Sequence, residues 1–563
     1  TPAWKGTNRT MWQQVYDPLH STVLSALVAA IPIIFFLLGL TVLKMSGIKA
    51  AIVSLALALG IGILVFGLPA GAGAGSILYG FLAGMWPIGW IVLMAVWLYR
   101  ISVRAGNFDI VRSSVSAIST DQRIQMLLIA FCFGGFLEGA AGFGIPIAIA
   151  AALLVNLGFN PLKASMFALI ANAASGAYGA IGIPVTTAAN YGNIDLAGLS
   201  IDIVPVLQIF SMLIPVLMVA IQDGVRGVRE VGPVALLIGA VFSGGQSAIL
   251  FFLGSPELVD IIPPLLALVV LALMMRVWQP KNIYREPTAP TLEEVQEQGA
   301  VKHTAGEILN AWSPFVYLSV AILLWSTALK PVFAKAVKPG DSDGLLGFST
   351  ILFNIPGVHG AIEQAAPIVT KPTPVKAVFT WNILGASGTA ILVAVLVTVL
   401  FSKISWKAAF EELSGTWKQL WLPILMICLV MSLANVMNYA GMISSIALAA
   451  SAAGAFFPLI SPVIGWIGVF VTGSVTNNNV LFAGLQSATA HQINVNPTLL
   501  VASNTAGGVM GKIVSPQSIA IAAAAVNSAG QESKITSMSI KYSAILLVLV
   551  CVWVYLLSLV MAH

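Results

Sequence analysis

The chain has 563 residues, of which 58% are hydrophobic and only 8% charged, with a formal net charge of +5. Repeated apolar stretches of about 20 residues exclude a soluble protein, and sustained runs without ten-residue alternation argue against an outer-membrane barrel. The excess of Lys and Arg is accounted for by positive cytoplasmic loops and calls for no nucleic-acid partner.

Residues 1–20 are polar and aromatic and are expected at the surface. No cleavable signal-peptide pattern opens the chain. Spans follow at about 21–43, 47–67 and 77–99. Trp86, Trp90 and Trp97 share the third at near-helical spacing, which predicts a packing stripe or interface anchor. Arg100, Arg104, Arg112 and Arg123 mark a basic segment assigned inside, within which 107–120 reads as a short interfacial helix. The stretch 124–157 is interrupted by Gly139-Ala140-Ala141-Gly142-Phe143-Gly144-Ile145-Pro146. Each arm has roughly 12–15 residues, about 20 Å as helix, which is too short to cross alone and predicts a re-entrant hairpin. A broken span covers 161–189 and another span 203–221, after which Arg226 and Arg229 mark the inside again.

Spans at about 233–253 and 258–276 lead to a hydrophilic loop, 277–305, whose acid-rich part reads as a solvated linker. Spans near 313–329 and 382–401 flank a long Pro- and Gly-containing loop, 330–380, assigned outside. Lys403, Lys407 and Lys418 place the next loop inside, before a span at 421–438. Residues 442–458 are read as a second interfacial helix, because Ala440-Gly441 precedes Gly473 by about the same distance as Ala105-Gly106 precedes Gly139. A second hairpin, 462–491, breaks at Gly473-Ser474-Val475-Thr476-Asn477-Asn478-Asn479, and a broken span, 497–527, and a last span, 543–561, follow.

The segment Asn504–Pro516, NTAGGVMGKIVSP, matches Asn172–Pro184, NAASGAYGAIGIP, without a gap. Asn172 pairs with Asn504, Gly176 with Gly508, Gly179 with Gly511 and Pro184 with Pro516. Gly507, Gly508 and Gly511 are poor helix formers, so each segment is expected to be two half-helices around an unwound centre, with Pro516 in the first turn of the second. The expected fold is an all-α polytopic membrane protein with two re-entrant hairpins, two broken helices and about twelve full spans. Its organisation is a first inverted repeat, 1–229 (hairpin 124–157, broken helix 161–189), linker spans and a cytoplasmic loop, 230–305, and a second repeat, 306–563 (hairpin 462–491, broken helix 497–527). Both termini then lie outside. Broken helices meeting at mid-membrane are the architecture of a secondary transporter.

Half-helix N-termini suit a carboxylate. Pro146, Pro184 and Pro516 can each start one, and a fourth is expected near Val480, capped by Asn477, Asn478 or Asn479. Two ionisable residues stand at the breaks, Glu138 and Lys512. They read either as a structural ion pair or as substrate-anion binding by Lys512 and proton carriage by Glu138. Asn172, Asn504, Ser503, Thr505 and Ser515 can hydrogen-bond a hydroxyl or carboxylate, or act as helix-packing glue. The tips, 139–145 and 473–479, are expected to close the cavity, which adds Gly142, Gly144, Ser474, Thr476 and Asn478 to the candidate binding set. Cys132, Cys428 and Cys551 lack metal or disulfide spacing and read as packing residues. No metal site, no cofactor and no Ser/His/Asp set is evident, which argues against an enzyme. His303, His359 and His491 fall outside the apolar centres and receive no role.

Trp12-Gln13-Gln14-Val15-Tyr16-Asp17-Pro18, Phe136-Leu137-Glu138-Gly139-Ala140-Ala141-Gly142-Phe143-Gly144, Gly511-Lys512 and Ser515-Pro516-Gln517-Ser518 resemble the bacterial L-lactate permease family over nearly the whole chain. That family is assigned to a superfamily of hairpin-containing ion transporters. The resemblance implies uptake of L-lactate and related small 2-hydroxymonocarboxylates (glycolate, D-lactate) with a proton, across the bacterial plasma (inner) membrane. Two departures stand out. The family pattern at the second hairpin is usually Gly-Ser-Asp-Thr, whereas Gly473-Ser474-Val475-Thr476 has valine in place of the carboxylate, and residues 1–10 precede Met11, where the resemblance begins. The expected partners are a small carboxylate, a proton and the lipid bilayer; a sodium-coupled carboxylate symporter and an anion channel are the alternatives.

Overall fold

The computed structural model describes residues 11–561 apart from 143, 288, 290–302, 336–342, 370 and 403. Residues 1–10, most of the acid-rich run, Phe143 of the first tip and Lys403 therefore lie outside the described residues. Ten helices among the described residues are long and apolar enough to cross a membrane, so the protein is a polytopic helical membrane protein.

The described residues open with a two-residue strand, β1 (Trp12–Gln13), followed by α1 (Thr22–Thr41), α2 (Gly47–Leu64), α3 (Ala70–Ala83), α4 (Trp90–Arg104) and a short α5 (Asn107–Ser116). α6 (Gln122–Ala140) and α7 (Ile145–Asn156) form a helix pair with its turn at 141–144. Gln122 Nε2 donates to the Leu157 carbonyl at 3.3 Å, so the pair starts and ends at one face of the molecule. α8 (Pro161–Asn172) and α9 (Gly179–Gly192) are separated by a non-helical segment, and left-handed backbone continues through Ala180, Ile181 and Gly182. For a β-branched residue such as Ile181, φ of 62° is strained.

The two spans expected at 203–221 and 233–253 are the two arms of a helical hairpin, labelled together α10 (Leu196–Leu253). It doubles back at Gly224, whose φ of 60° and ψ of −150° suit a residue without Cβ. Gly239 lies against the Met212 carbonyl, and Leu196 and Leu253 line the same cavity, so the two arms run side by side. α11 (Ile262–Val277) and α12 (Ala305–Ser326) follow.

The loop 330–380 departs from the expected irregular structure. It carries β2 (Thr350–Asn354), β3 (Ile362–Gln364), β4 (Thr373–Pro374) and, running just past its end, β5 (Val378–Asn382). β2 pairs antiparallel with β5, and β3 pairs with β4 and, in parallel, with β1. The Trp12–Pro18 motif is thereby fixed. Gln14 Nε2 donates to the carbonyls of Asn438 (3.0 Å) and Tyr439 (2.9 Å), and Tyr16 Oη donates to Gln14 Oε1 at 3.1 Å. Burial pushes the Tyr16 hydroxyl pKa up, which keeps it a donor. These strands form one end of the molecule, the strand face.

α13 (Ser387–Phe401), α14 (Trp406–Tyr439) and a short α15 (Met442–Ala450) lead to the second tip, formed by α16 (Phe457–Thr472) and α17 (Val475–Ile493). α17 ends close to the strand face, where Gln492 Nε2 reaches the Pro367 carbonyl at 3.5 Å. α18 (Pro497–Lys512), α19 (Pro516–Ala525) and α20 (Glu532–Val560) complete the chain.

Two sequence expectations are corrected here. Gly507, Gly508 and Gly511 are not unwound: α18 is helical through Lys512, and only Ile513–Ser515 interrupt the chain. The glycines serve close helix approach instead. A Cβ at Gly507 would strike the Pro462 carbonyl, one at Gly511 the Trp466 carbonyl and one at Gly508 the Val469 side chain, all on α16. The fourth half-helix does not start near Val480. It starts at Val475, because Ser474 is its N-cap and accepts the Asn477 N–H at 3.2 Å; Asn477, Asn478 and Asn479 are therefore inside the helix.

The basic segments gather at the other end. Arg100 and Arg104 pair with Glu411 and Glu412, and Lys163 pairs with Glu286 at 2.8 Å. Arg123, 1% exposed, bonds Asp121 and Asp223 at 2.8 Å, Glu230 at 3.0 Å and the Asn282 carbonyl at 2.7 Å. This clasp ties the base of α6 to the α10 turn and to the segment after α11. The tryptophan stripe is packing: Trp86 and Trp90 stack at 5.3 Å, and Trp97 donates to the Ala409 carbonyl at 2.8 Å.

Candidate functional site

The first tip meets both interrupted helices. Lys512 Nζ lies 2.8 Å from Glu138 Oε1, and Asn172 Nδ2 donates to Glu138 Oε2, also at 2.8 Å. Each partner comes from a different place: Glu138 from the end of α6, Asn172 from the last turn of α8 and Lys512 from the last turn of α18. Glu138 is 3% exposed, Asn172 4% and Lys512 8%. Glycines make the room: a Cβ at Gly179 would come within 3.1 Å of the Glu138 carboxyl carbon. A buried ion pair is costly to desolvate and is held only with added hydrogen bonds, which Asn172 supplies. Gly142 rests on Ala180 and Gly144 on Ile521, so the tip is wedged between α9 and α19.

A second polar cluster sits at the other tip. Asn504 Nδ2 donates to Asn479 Oδ1 at 3.0 Å, and Thr505 Oγ1 donates to the same oxygen at 3.1 Å. Gln486 Nε2 donates to Asn504 Oδ1 at 3.3 Å, and Ser503 shares a short hydrogen bond with Ser461. Asn478 Nδ2 reaches the Asn504 carbonyl at 3.5 Å. Asn479 Nδ2 links this cluster to the first repeat segment through the Pro184 carbonyl at 2.9 Å. Asn172 and Asn504, matched in sequence, thus serve different clusters. Ser474 and Ser515 are N-caps of α17 and α19, Thr476 is half-buried in the first turn of α17, and Gly473 lies against Gln517.

Sequence reasoning passed over several members of the first cluster. Asp260, 0% exposed, precedes α11 and packs its main chain against Gly139, next to Glu138. Gln246 Nε2 donates to its Oδ1 at 2.7 Å. Tyr178 is fully buried and its hydroxyl accepts from Gln208 Nε2 at 2.9 Å. The signal for Asp260 was present: an acid inside the apolar run 258–276 is a functional candidate by default.

A charged pair buried between a helix tip and two interrupted helices fits a carrier that rearranges around a small ion. The family model described as L-lactate permease matches residues 25–561. The chain belongs to the L-lactate permease family. It is 45% identical to the L-lactate permease of Halalkalibacterium halodurans over 98% of this chain and 100% of that one. Similarity is comparable to the glycolate permease GlcA of Escherichia coli, 44% over 95% and 96% of the two chains, and to the L-lactate permease of that organism, 42% over the same shares. The protein is a membrane transporter and not an enzyme.

In this member of the L-lactate permease family, the motifs that carried the resemblance have distinct structural duties. Trp12–Pro18 docks the N-terminal strand onto the loop sheet. The stretch around Glu138 forms the first tip, and Ser515–Ser518 caps α19, with Ser515 Oγ accepting the Ser518 N–H at 3.2 Å. Val475 is buried at the start of α17.

Proposed function

We propose that this protein imports L-lactate and related small 2-hydroxymonocarboxylates, glycolate and D-lactate among them, across the bacterial inner membrane by proton symport. The Glu138–Lys512 pair with Asn172 carries this reading. A lactate carboxylate competes with Glu138 for the Lys512 ammonium. When it takes that place, Glu138 is left buried without its cation, and a buried carboxylate without a partner is far cheaper protonated than charged. Binding of anion and proton are then linked, and the pair crosses as a neutral unit. Moving lactate inward alone would cost about 2.3 kcal/mol per 100 mV.

The organisation proposed is the inverted repeat, 1–229 and 306–563, around linker spans and a cytoplasmic loop, 230–305. Both termini are placed outside. Several features support it. α5 and α15 both follow a left-handed glycine, Gly106 and Gly441, and the helix pairs α6–α7 and α16–α17 approach from opposite ends. Arg123 and Lys163 bond to the segment after α11, which favours that end as cytoplasmic. Asn504, Ser503, Thr505, Ser515, Ser474, Thr476, Asn478, Gly142 and Gly144 are proposed to contact substrate when the tips part. Uptake of labelled lactate into proteoliposomes, with pH and sodium gradients imposed separately, tests the reading. Accumulation driven by an inward proton gradient is expected; accumulation driven by sodium alone would transfer the function to sodium coupling, and uptake that never exceeds equilibrium would make it a channel.

A further inference from the structure

Glu138 is enclosed by Lys512, Asn172 and Gly179, so a proton bound for it needs a route that does not pass the ion pair. Asp260 has the position for one. One of its oxygens takes the Gln246 amide; the other, Oδ2, is buried with no partner among the described residues. Among the described residues, Glu138 and Lys512 act on its carboxylate, and Tyr178 is a titratable neighbour. Three residues before it the chain reaches a cavity, with the fully buried Leu258 and Val259 in between. Gly254, Ser255 and Glu257 line a cavity of about 430 Å³ at the strand face, together with Lys330 and Asn382. Ser255 Oγ donates to Glu257 Oε2 at 2.7 Å, and the same short segment supports the strained turn at Gly182. A carboxyl group lies at each end of this segment, Glu257 in the cavity wall and Asp260 beside the first tip.

We propose that Asp260 is the station through which a proton passes from the strand-face cavity to Glu138. The proposal rests on the proton-symport reading given above. Among the described residues no cation contacts Asp260 directly and its Oδ2 has no partner, a setting in which a carboxyl group holds a proton more cheaply than a charge. When substrate draws Lys512 away, the Asp260 O–H bond breaks and an O–H bond forms on Glu138. Asp260 then regains a proton from the cavity past Glu257. The net balance is one proton drawn from the strand-face side for each carboxylate bound.

Asp260→Asn and Asp260→Glu, reconstituted in proteoliposomes, test this against wild type. Three readouts are needed: lactate-coupled proton movement followed with an internal pH dye, pH-driven accumulation, and lactate counterflow, which requires no net proton movement. Asp260→Asn is expected to slow the first two on the order of a hundredfold, the scale of a positioned proton donor, while counterflow persists; Asp260→Glu, which keeps the acid, is expected to retain coupling. Wild-type coupling in Asp260→Asn overturns the proposal. Loss of counterflow in both variants also overturns it, because Asp260 would then be a packing or binding residue. A wild-type protein that moves no proton with lactate defeats the symport reading itself, and that outcome is visible without any variant.

Discussion

Lys512 and Glu138 lie 374 residues apart in sequence and 2.8 Å apart in space, both buried, with Asn172 on the second Glu138 oxygen. Proposed transport turns on breaking and remaking this contact. Lys512→Ala is expected to abolish lactate binding, measured as loss of ligand-induced thermal stabilisation in detergent. It also leaves a buried carboxylate unpaired, which costs about 3–5 kcal/mol, so a lower melting temperature should accompany it. Full-affinity lactate binding by Lys512→Ala would remove Lys512 from the site.

Glu138→Gln keeps the size of the side chain and the bond to Asn172 but cannot take up a proton. It is expected to bind lactate, because Lys512 is then released from its partner, and to lose pH-driven accumulation. Binding by calorimetry and uptake in vesicles separate the two. Full proton-driven uptake by this variant would take the proton off Glu138.

The Arg123 clasp joins one guanidinium to three carboxylates at the base of α6. Arg123→Ala leaves Asp121 and its neighbours mutually repelling in a buried setting, and a loss of about 3–5 kcal/mol is expected. Arg123→Lys restores charge but not the forked geometry and should recover only part of it. Unfolding midpoints in mild detergent, compared across the three proteins, check the order.

Helices α16 and α18 touch through glycine. Gly507→Ala places a methyl group on the Pro462 carbonyl, where neither backbone can give easily. A cost of about 1–3 kcal/mol is expected from overpacking. Gly60→Ala, which has nothing within 4 Å, is the matched control and should leave the melting temperature unchanged or slightly raised.

The proposed sidedness is read most directly from the exposed Lys281, which follows α11. Lys281→Cys in a cysteine-free background should react with a membrane-impermeant maleimide only after the cells are opened. Labelling of intact cells would reverse the orientation, and with it the direction of the proposed proton route.

Sequence alone was sufficient for the properties that depend on one element at a time. Apolar run lengths dictate membrane helices, because lipid offers no partner to a backbone amide outside a helix. Gly-rich stretches ending at Pro146, Pro184 and Pro516 mark where a helix starts again, since proline is best suited to a first turn, where its missing N–H costs nothing. Glu138 and Lys512 stood out because a charge in an apolar run has to be used or matched. Tertiary structure decided what meets what. The three glycines of α18 read as helix breakers, yet packing against α16 favours them as contacts, and only the neighbour's backbone reveals the difference. Ser474 rather than an asparagine caps α17, a choice set by the path of the turn. Asn172 and Asn504 occupy matching places but find different partners, because hydrogen bonds form with whatever the fold brings within reach. Asp260 was legible as a buried acid; its place beside Glu138 was not, because that depends on a helix start meeting a tip more than a hundred residues earlier in the chain.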